Sequence, residues 1–396
     1  MVVGEDARKH LTYCLNVHPG EDWDANLQAI RKYALEVRSQ VAPGQPFGLG
    51  LRLSAAAAVT LSNPARLAEL QQVLKEHDLY VFTINGFPYG AFHDTVVKQN
   101  VYAPDWRTAE RLTYTTMLAD ILASLLPEGV SGSISTVPGS YRDWIQDASD
   151  RDAIATNLAR CAEHLASVEQ RTGRHIALAL EPEPDCLFDT TEQTLEFFNR
   201  NLSEHPAMRT LAFDWRVYIG VCFDTCHLSV VFDDPAESLG ALLSGGITVP
   251  KVQISAALRA PTGAATAARL ADFADGTYLH QMRTRRADGK LSRYADLTPE
   301  AMRAVATEDS GEVRVHVHVP LYFEASGPLR STASDLSDAF FAILAESSIP
   351  HLEIETYTFN VLPPELASMP IQESIAREYA WVLDRVGREV WGSGIV

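Results

Sequence analysis

The residues of this 396-residue chain most suggestive of chemistry are carboxylates standing directly behind short apolar runs. His175-Ile-Ala-Leu-Ala-Leu-Glu181 ends on one and continues as Pro-Glu183-Pro-Asp185. Val221-Cys222-Phe223-Asp224-Thr225-Cys226-His227 ends its run on an aspartate, with a histidine three residues on. Lys251-Val252-Gln253-Ile254 carries an amide, and Leu352-Glu353-Ile354-Glu355 carries two carboxylates two apart, on one face of a strand. Such groups are costly to bury, and carboxylates that converge repel one another unless a cation or a Lys/Arg lies among them. Apart from Arg52 no strand-end Lys or Arg stands out, so a divalent metal is the economical counter-charge. For Glu183 and Asp185 a helix cap or a solvated loop is the preferred reading.

The elements that must position these groups alternate between strand and helix. Strands are expected at Leu11–Val17, Phe47–Leu53, Tyr80–Ile84, Ser131–Thr136, Ile176–Leu180, Tyr218–Phe223, Lys251–Ile254, Val313–Val319 and Leu352–Thr356, with long amphipathic segments between them. Strict alternation means parallel strands with helical crossovers, and the length suits one α/β domain, a (β/α)8 TIM barrel spanning 1–396. Links from helix to strand are short (Gly173–Arg174), whereas links from strand to helix are long (Asn85–Trp106, Tyr357–Glu373). Long loops therefore gather at the C-terminal mouth, where barrel enzymes build their sites. Nine strand candidates exceed eight, and Val313–Val319 is assigned to a large insertion, about 256–320, before the last barrel strand. The third loop, with Asn85, Phe87, Tyr89, His93, Lys98, Tyr102 and Trp106, has the composition of a lid over a polyhydroxylated ring. Asn16 and His18 face inward by alternation on the opposite wall.

A formal net charge of −18 without any Lys/Arg run argues against nucleic acid as a partner. The first ten residues lack a signal-peptide core, no apolar run is long enough to span a membrane, and five scattered cysteines read as free thiols. A cytoplasmic location is expected.

The Leu-Glu181-Pro, Phe-Asp224-Thr-Cys-His227 and Ile-Glu355 segments resemble the xylose-isomerase-like TIM barrels, which include ketose 3-epimerases, inosose-type isomerases and dehydratases, and endonuclease IV. Leu11–Trp23, Asn85–Gly90, Tyr278-Leu-His280-Gln281 and His316-Val-His318-Val-Pro further resemble the barrel-type metabolite traffic family of the ebo gene cluster. The resemblance implies one divalent cation on Glu181, Asp224, Gln253 and Glu355, with His227 beside the substrate. Gln253 stands where these relatives have a histidine, which favours Mn²⁺ or Mg²⁺ over Zn²⁺ or Co²⁺; His318, or else His316, is the candidate for the missing imidazole. The implied activity is isomerisation or epimerisation of a sugar or cyclitol-like metabolite by proton transfer through a metal-bound enediolate. Glu181, Glu355 and His227 would be catalytic, and Asn16, His18, Asn85, Tyr89, His280 and His316 would bind the substrate. The alternatives are a metal-dependent hydrolase or phosphodiesterase of endonuclease IV type, and a non-catalytic metabolite carrier.

Overall fold

A computed structural model of the chain describes residues 1–4, 8–91, 97–274, 276–308, 310–360, 362 and 369–387. Eight parallel strands form the barrel: β1 (Lys9–Tyr13), β2 (Phe47–Arg52), β3 (Leu79–Asn85), β4 (Gly132–Thr136), β5 (Ile176–Leu180), β6 (Ile219–Asp224), β7 (Lys251–Ile254) and β8 (His351–Ile354). Each pairs with its successor from β2 to β8, and β8 returns to β1 with His351 opposite His10. A parallel bridge between Cys14 and Gly50 closes the seam. Gly50 is required there, because a Cβ would stand 2.2 Å from Glu353 Oε1 and 3.0 Å from the Tyr13 carbonyl. A two-residue strand, Val2–Val3, adds antiparallel to β1.

The tight links at the N-terminal pole follow from local chemistry. The helix Ala148–Thr172 starts on the Asp147 side chain and stops on Gly173 at φ 69°, a left-handed turn that sends the chain straight into β5. At the other pole the chain between β7 and β8 builds its own antiparallel sheet. Its strands are Leu258–Pro261, Met282–Arg285, Leu291–Tyr294, Glu312–Val315, Ala325–Ser326 and Leu329–Ser331. The ninth strand candidate thus belongs to this inserted sheet and ends at Val315. Beyond it the ladder stops, and residues 316–320 cross the barrel mouth, with His316 N–H donating to Gln281 O and Val319 N–H to Ala256 O.

The first strand also ends early. It stops at Tyr13, and Leu15–Val17 forms a 3-10 turn, so side-chain alternation does not extend to His18. No described helix is long and apolar enough to cross a membrane. All five cysteines are buried free thiols.

Candidate active site

Three carboxylates meet at the mouth. Glu181 follows β5 and is anchored by its N–H to Thr136 O at 2.9 Å. Asp224 is the last residue of β6 and also the cap of the short helix Thr225–Val230, with Oδ1 accepting from His227 N–H and Ser255 Oγ, both at 2.9 Å. Glu355 follows β8, and its Oε1 accepts from the amides of Asn16 at 2.7 Å and Asn85 at 3.0 Å. One oxygen from each carboxylate lies within 4.8 Å of the others, and all three side chains are buried. Glu181 Oε2 and Asp224 Oδ2 have no hydrogen-bond partner among the described residues. Burial first, and then the neighbouring carboxylates, hold Glu181 and Glu355 well above the usual carboxylate range. Buried, convergent and half-satisfied oxygens are the donor set of a hard divalent cation, so the residues present fit such an ion.

A counter-charge was expected to be missing from the barrel, yet Lys251 supplies one. Its Nζ lies 2.6 Å from Glu353 Oε2 in the layer beneath the cluster, with both side chains fully buried. Burial alone would lower the Lys251 pKa, but Glu353 together with Cys222 and Cys14 outweighs it and keeps the ammonium charged. Arg52, the cation named from sequence, turns away to Glu21 at 2.7 Å and to Gly90 O. One lysine is taken by Glu353, so it leaves Glu181, Asp224 and Glu355 uncompensated.

Gln253 faces this lower layer. Its Oε1 accepts from the Cys222 thiol at 3.0 Å, and its Nε2 lies 3.4 Å from Glu353 Oε2. Its amide oxygen, expected to be a ligand, is thus engaged with the Cys222 thiol, and Gln253 is off the pocket lining. Instead the imidazoles come from above. His227 and His318 each place a nitrogen within 4.8 Å of an Asp224 oxygen, and His316 packs edge-on to His227, ring centroids 4.6 Å apart. Burial lowers the pKa of all three, that of His227 to about 4, so they are neutral.

Of the expected substrate-binding residues, Asn16, Asn85 and His316 line the pocket with Glu181, His227 and Glu355. His18 does not: past the 3-10 turn it stacks on Tyr33 and meets the Tyr13 hydroxyl at 2.9 Å. Tyr89 packs against Tyr114 behind the loop, leaving Phe87 and Pro88 on the pocket wall. His280 sits behind His316, its ring 3.9 Å from Asp296 and off the lining. His93 lies outside the described residues, and Trp106 is core, donating to Thr136 Oγ1 at 3.2 Å. Sequence reasoning set Glu183 aside, but it is buried in the wall, accepting from Tyr102 O–H at 2.7 Å, with burial raising its pKa to about 8. β5 ends at Leu180, so strand alternation gave no signal for it. Tyr357, Tyr278 and Lys98 complete the rim, where Lys98 pairs with Asp296 of the insertion at 2.7 Å.

A family model for the xylose isomerase-like TIM barrel matches residues 51–277, more than half of the chain. The chain belongs to that family. Among solved structures, a xylose isomerase domain protein from Planctomyces limnophilus is 12% identical, with a TM-score of 0.50 over 94% of this chain and 95% of that one. A probable 3-DHS dehydratase, AsbF, from Bacillus anthracis is 14% identical over 94% and 98%, TM-score 0.47. An IOLI protein with a binding zinc atom is 15% identical over 95% and 98%, TM-score 0.47. At these identities the likeness concerns the fold alone. No curated protein matches the chain.

Proposed function

We propose that this member of the xylose isomerase-like family is a divalent-cation-dependent isomerase or epimerase of a sugar or cyclitol-like metabolite. The observation that carries the reading is the convergence of Glu181, Asp224 and Glu355 within 4.8 Å, with two of their oxygens unpartnered among the described residues, beside an open pocket. Those three side chains would hold the cation, and the chemistry it supplies is Lewis-acid polarisation of a carbonyl flanked by a hydroxyl.

The protein's own residues do the rest. Glu355 is held by the Asn16 and Asn85 amides through Oε1, which leaves Oε2 to take a proton from the carbon next to the carbonyl. Glu181, from β5, stands on another side of the same pocket and returns a proton, giving epimerisation. Return by Glu355 itself at the neighbouring carbon would give isomerisation. His227 is fixed by its Nδ1 contact to Pro182 O at 3.1 Å and orients a substrate oxygen. Phe87 and Tyr357 supply apolar faces for a ring.

The test is proton exchange. Candidate ketoses and cyclitols incubated with the Mn²⁺-loaded protein in D₂O should gain deuterium next to the carbonyl, read by NMR. Glu355→Gln, which keeps the shape but cannot accept the proton, should slow exchange by about 10²–10⁴-fold, the usual worth of a general base. Undiminished exchange in both Glu355→Gln and Glu181→Gln would rule the scheme out. Tight binding without exchange would identify a carrier.

A further inference from the structure

The Nε2 atoms of His316 and His318 lie only 3.2 Å apart, and both rings are buried. Where their protons sit follows from the other nitrogen of each ring. His318 Nδ1 is 2.8 Å from the carbonyl oxygen of Glu355, which can only accept. His316 Nδ1 is 2.8 Å from Gln281 Oε1. That amide cannot be turned over, because its Nε2 donates to Pro184 O at 3.1 Å and to Tyr102 Oη at 2.8 Å. Reversed, the amide oxygen would face the Pro184 carbonyl, which can only accept. Both imidazoles therefore carry their proton on Nδ1, and two bare Nε2 lone pairs point at one another.

Two buried acceptors in contact repel unless something positive lies between them. Two imidazole nitrogens bound to one ion at about 2.0–2.1 Å each stand about 2.8–3.4 Å apart for octahedral to tetrahedral angles. The observed separation falls in that range. A third donor is in place, since Cys226 Sγ lies within 4.8 Å of a nitrogen of each ring. Each Nδ1–H, tied to a carbonyl or amide oxygen, is the outer contact that usually orients a ligating histidine.

We propose that the inserted His316-Val-His318 segment, with Cys226, forms a second cation site beside the three-carboxylate cluster. Two nitrogens and a sulfur suit Zn²⁺, whereas the carboxylates suit Mn²⁺ or Mg²⁺. The inserted sheet then completes the metal chemistry of the mouth as well as covering it, and the second site stands whether or not the carboxylate reading holds.

The experiment is metal stoichiometry on the full chain, stripped with chelator and dialysed against Zn²⁺, Mn²⁺ or both. Wild type should hold about two ions per chain in the mixture, and His316→Ala and His318→Ala about one, keeping Mn²⁺. Glu181→Gln should show the reverse, losing Mn²⁺ and keeping Zn²⁺. Loaded with Co²⁺ in place of Zn²⁺, wild type should show a thiolate charge-transfer band that Cys226→Ser abolishes. Circular dichroism checks folding, with His316→Asn replacing the alanine variant if that one fails to fold. Zn²⁺ content unchanged in both histidine variants, or no Zn²⁺ bound by a wild type that binds Mn²⁺, would overturn the second site and leave a proton as what the two nitrogens share. Loss of Mn²⁺ binding alone from wild type would count against the carboxylate reading only.

Discussion

Glu353 and Glu355 are two residues apart, share a face and are both buried, yet one belongs to the barrel and the other to the site. Lys251 makes the difference: it reaches Glu353 at 2.6 Å and leaves Glu355 to Asn16 and Asn85. A buried ion pair adds little over apolar packing, but breaking one side leaves an uncompensated charge. Lys251→Met should therefore cost about 3–5 kcal/mol in urea melts, and Lys251→Met with Glu353→Leu should recover most of it. Equal stability of wild type and Lys251→Met would show that Glu353 is not charged there. The acidic strand ends of the candidate site were legible because an acid directly after an apolar run is uncommon without a purpose. Lys251 was not, because the first residue of a strand reads as an exposed entry point, and only the closed barrel turns it inward.

At the scale of elements, what could be read was alternation and what could not was where it stops. β5, β6 and β8 placed Glu181, Asp224 and Glu355 correctly at the mouth because each strand runs unbroken to its acid. β1 misled: five residues long rather than seven, it hands over to a 3-10 turn that keeps Asn16 in the pocket and swings His18 out to Tyr33. Loop interiors have no period, so which aromatics of the third loop face the pocket, Phe87 or Tyr89, was beyond pattern. The seam between β1 and β2 carries a further expectation. Gly50→Ala would drive a methyl group into Glu353 Oε1 and the Tyr13 carbonyl, and a backbone oxygen cannot step aside. Overpacking of this kind should destabilise by about 1–3 kcal/mol, lowering the thermal midpoint, whereas Gly129→Ala would meet no atom within 4 Å and suffers only from its φ of +76°. A Gly50→Ala melt indistinguishable from wild type would mean that the seam opens easily.

For the whole molecule, the closing element is the helix Ile371–Val386, and a buried carboxylate is among the groups that tie it to the rest. Glu378 is buried and accepts from Leu321 N–H at 3.1 Å, where the insertion leaves the mouth, and from Thr356 Oγ1 at 2.7 Å, just after β8. Burial raises its pKa from 4.5 to about 7, with the two hydrogen bonds pulling the other way. A carboxyl whose folded pKa is raised favours the folded state fully below its unfolded value, and that contribution is lost as pH rises through the folded one. The window therefore runs from about pH 4.5 to about pH 7, and the loss across it is on the order of 2–3 kcal/mol. Glu378→Gln keeps an acceptor oxygen and never ionises, so it should show none of this dependence. Net self-repulsion of a chain at −18 acts on both proteins alike and cancels in the difference. Urea melts of the pair from pH 4 to pH 8 should show wild type losing stability relative to the variant as pH rises. A constant difference across that range would mean that Glu378 titrates alike in the folded and unfolded chain, and that burial does not hold a proton on it.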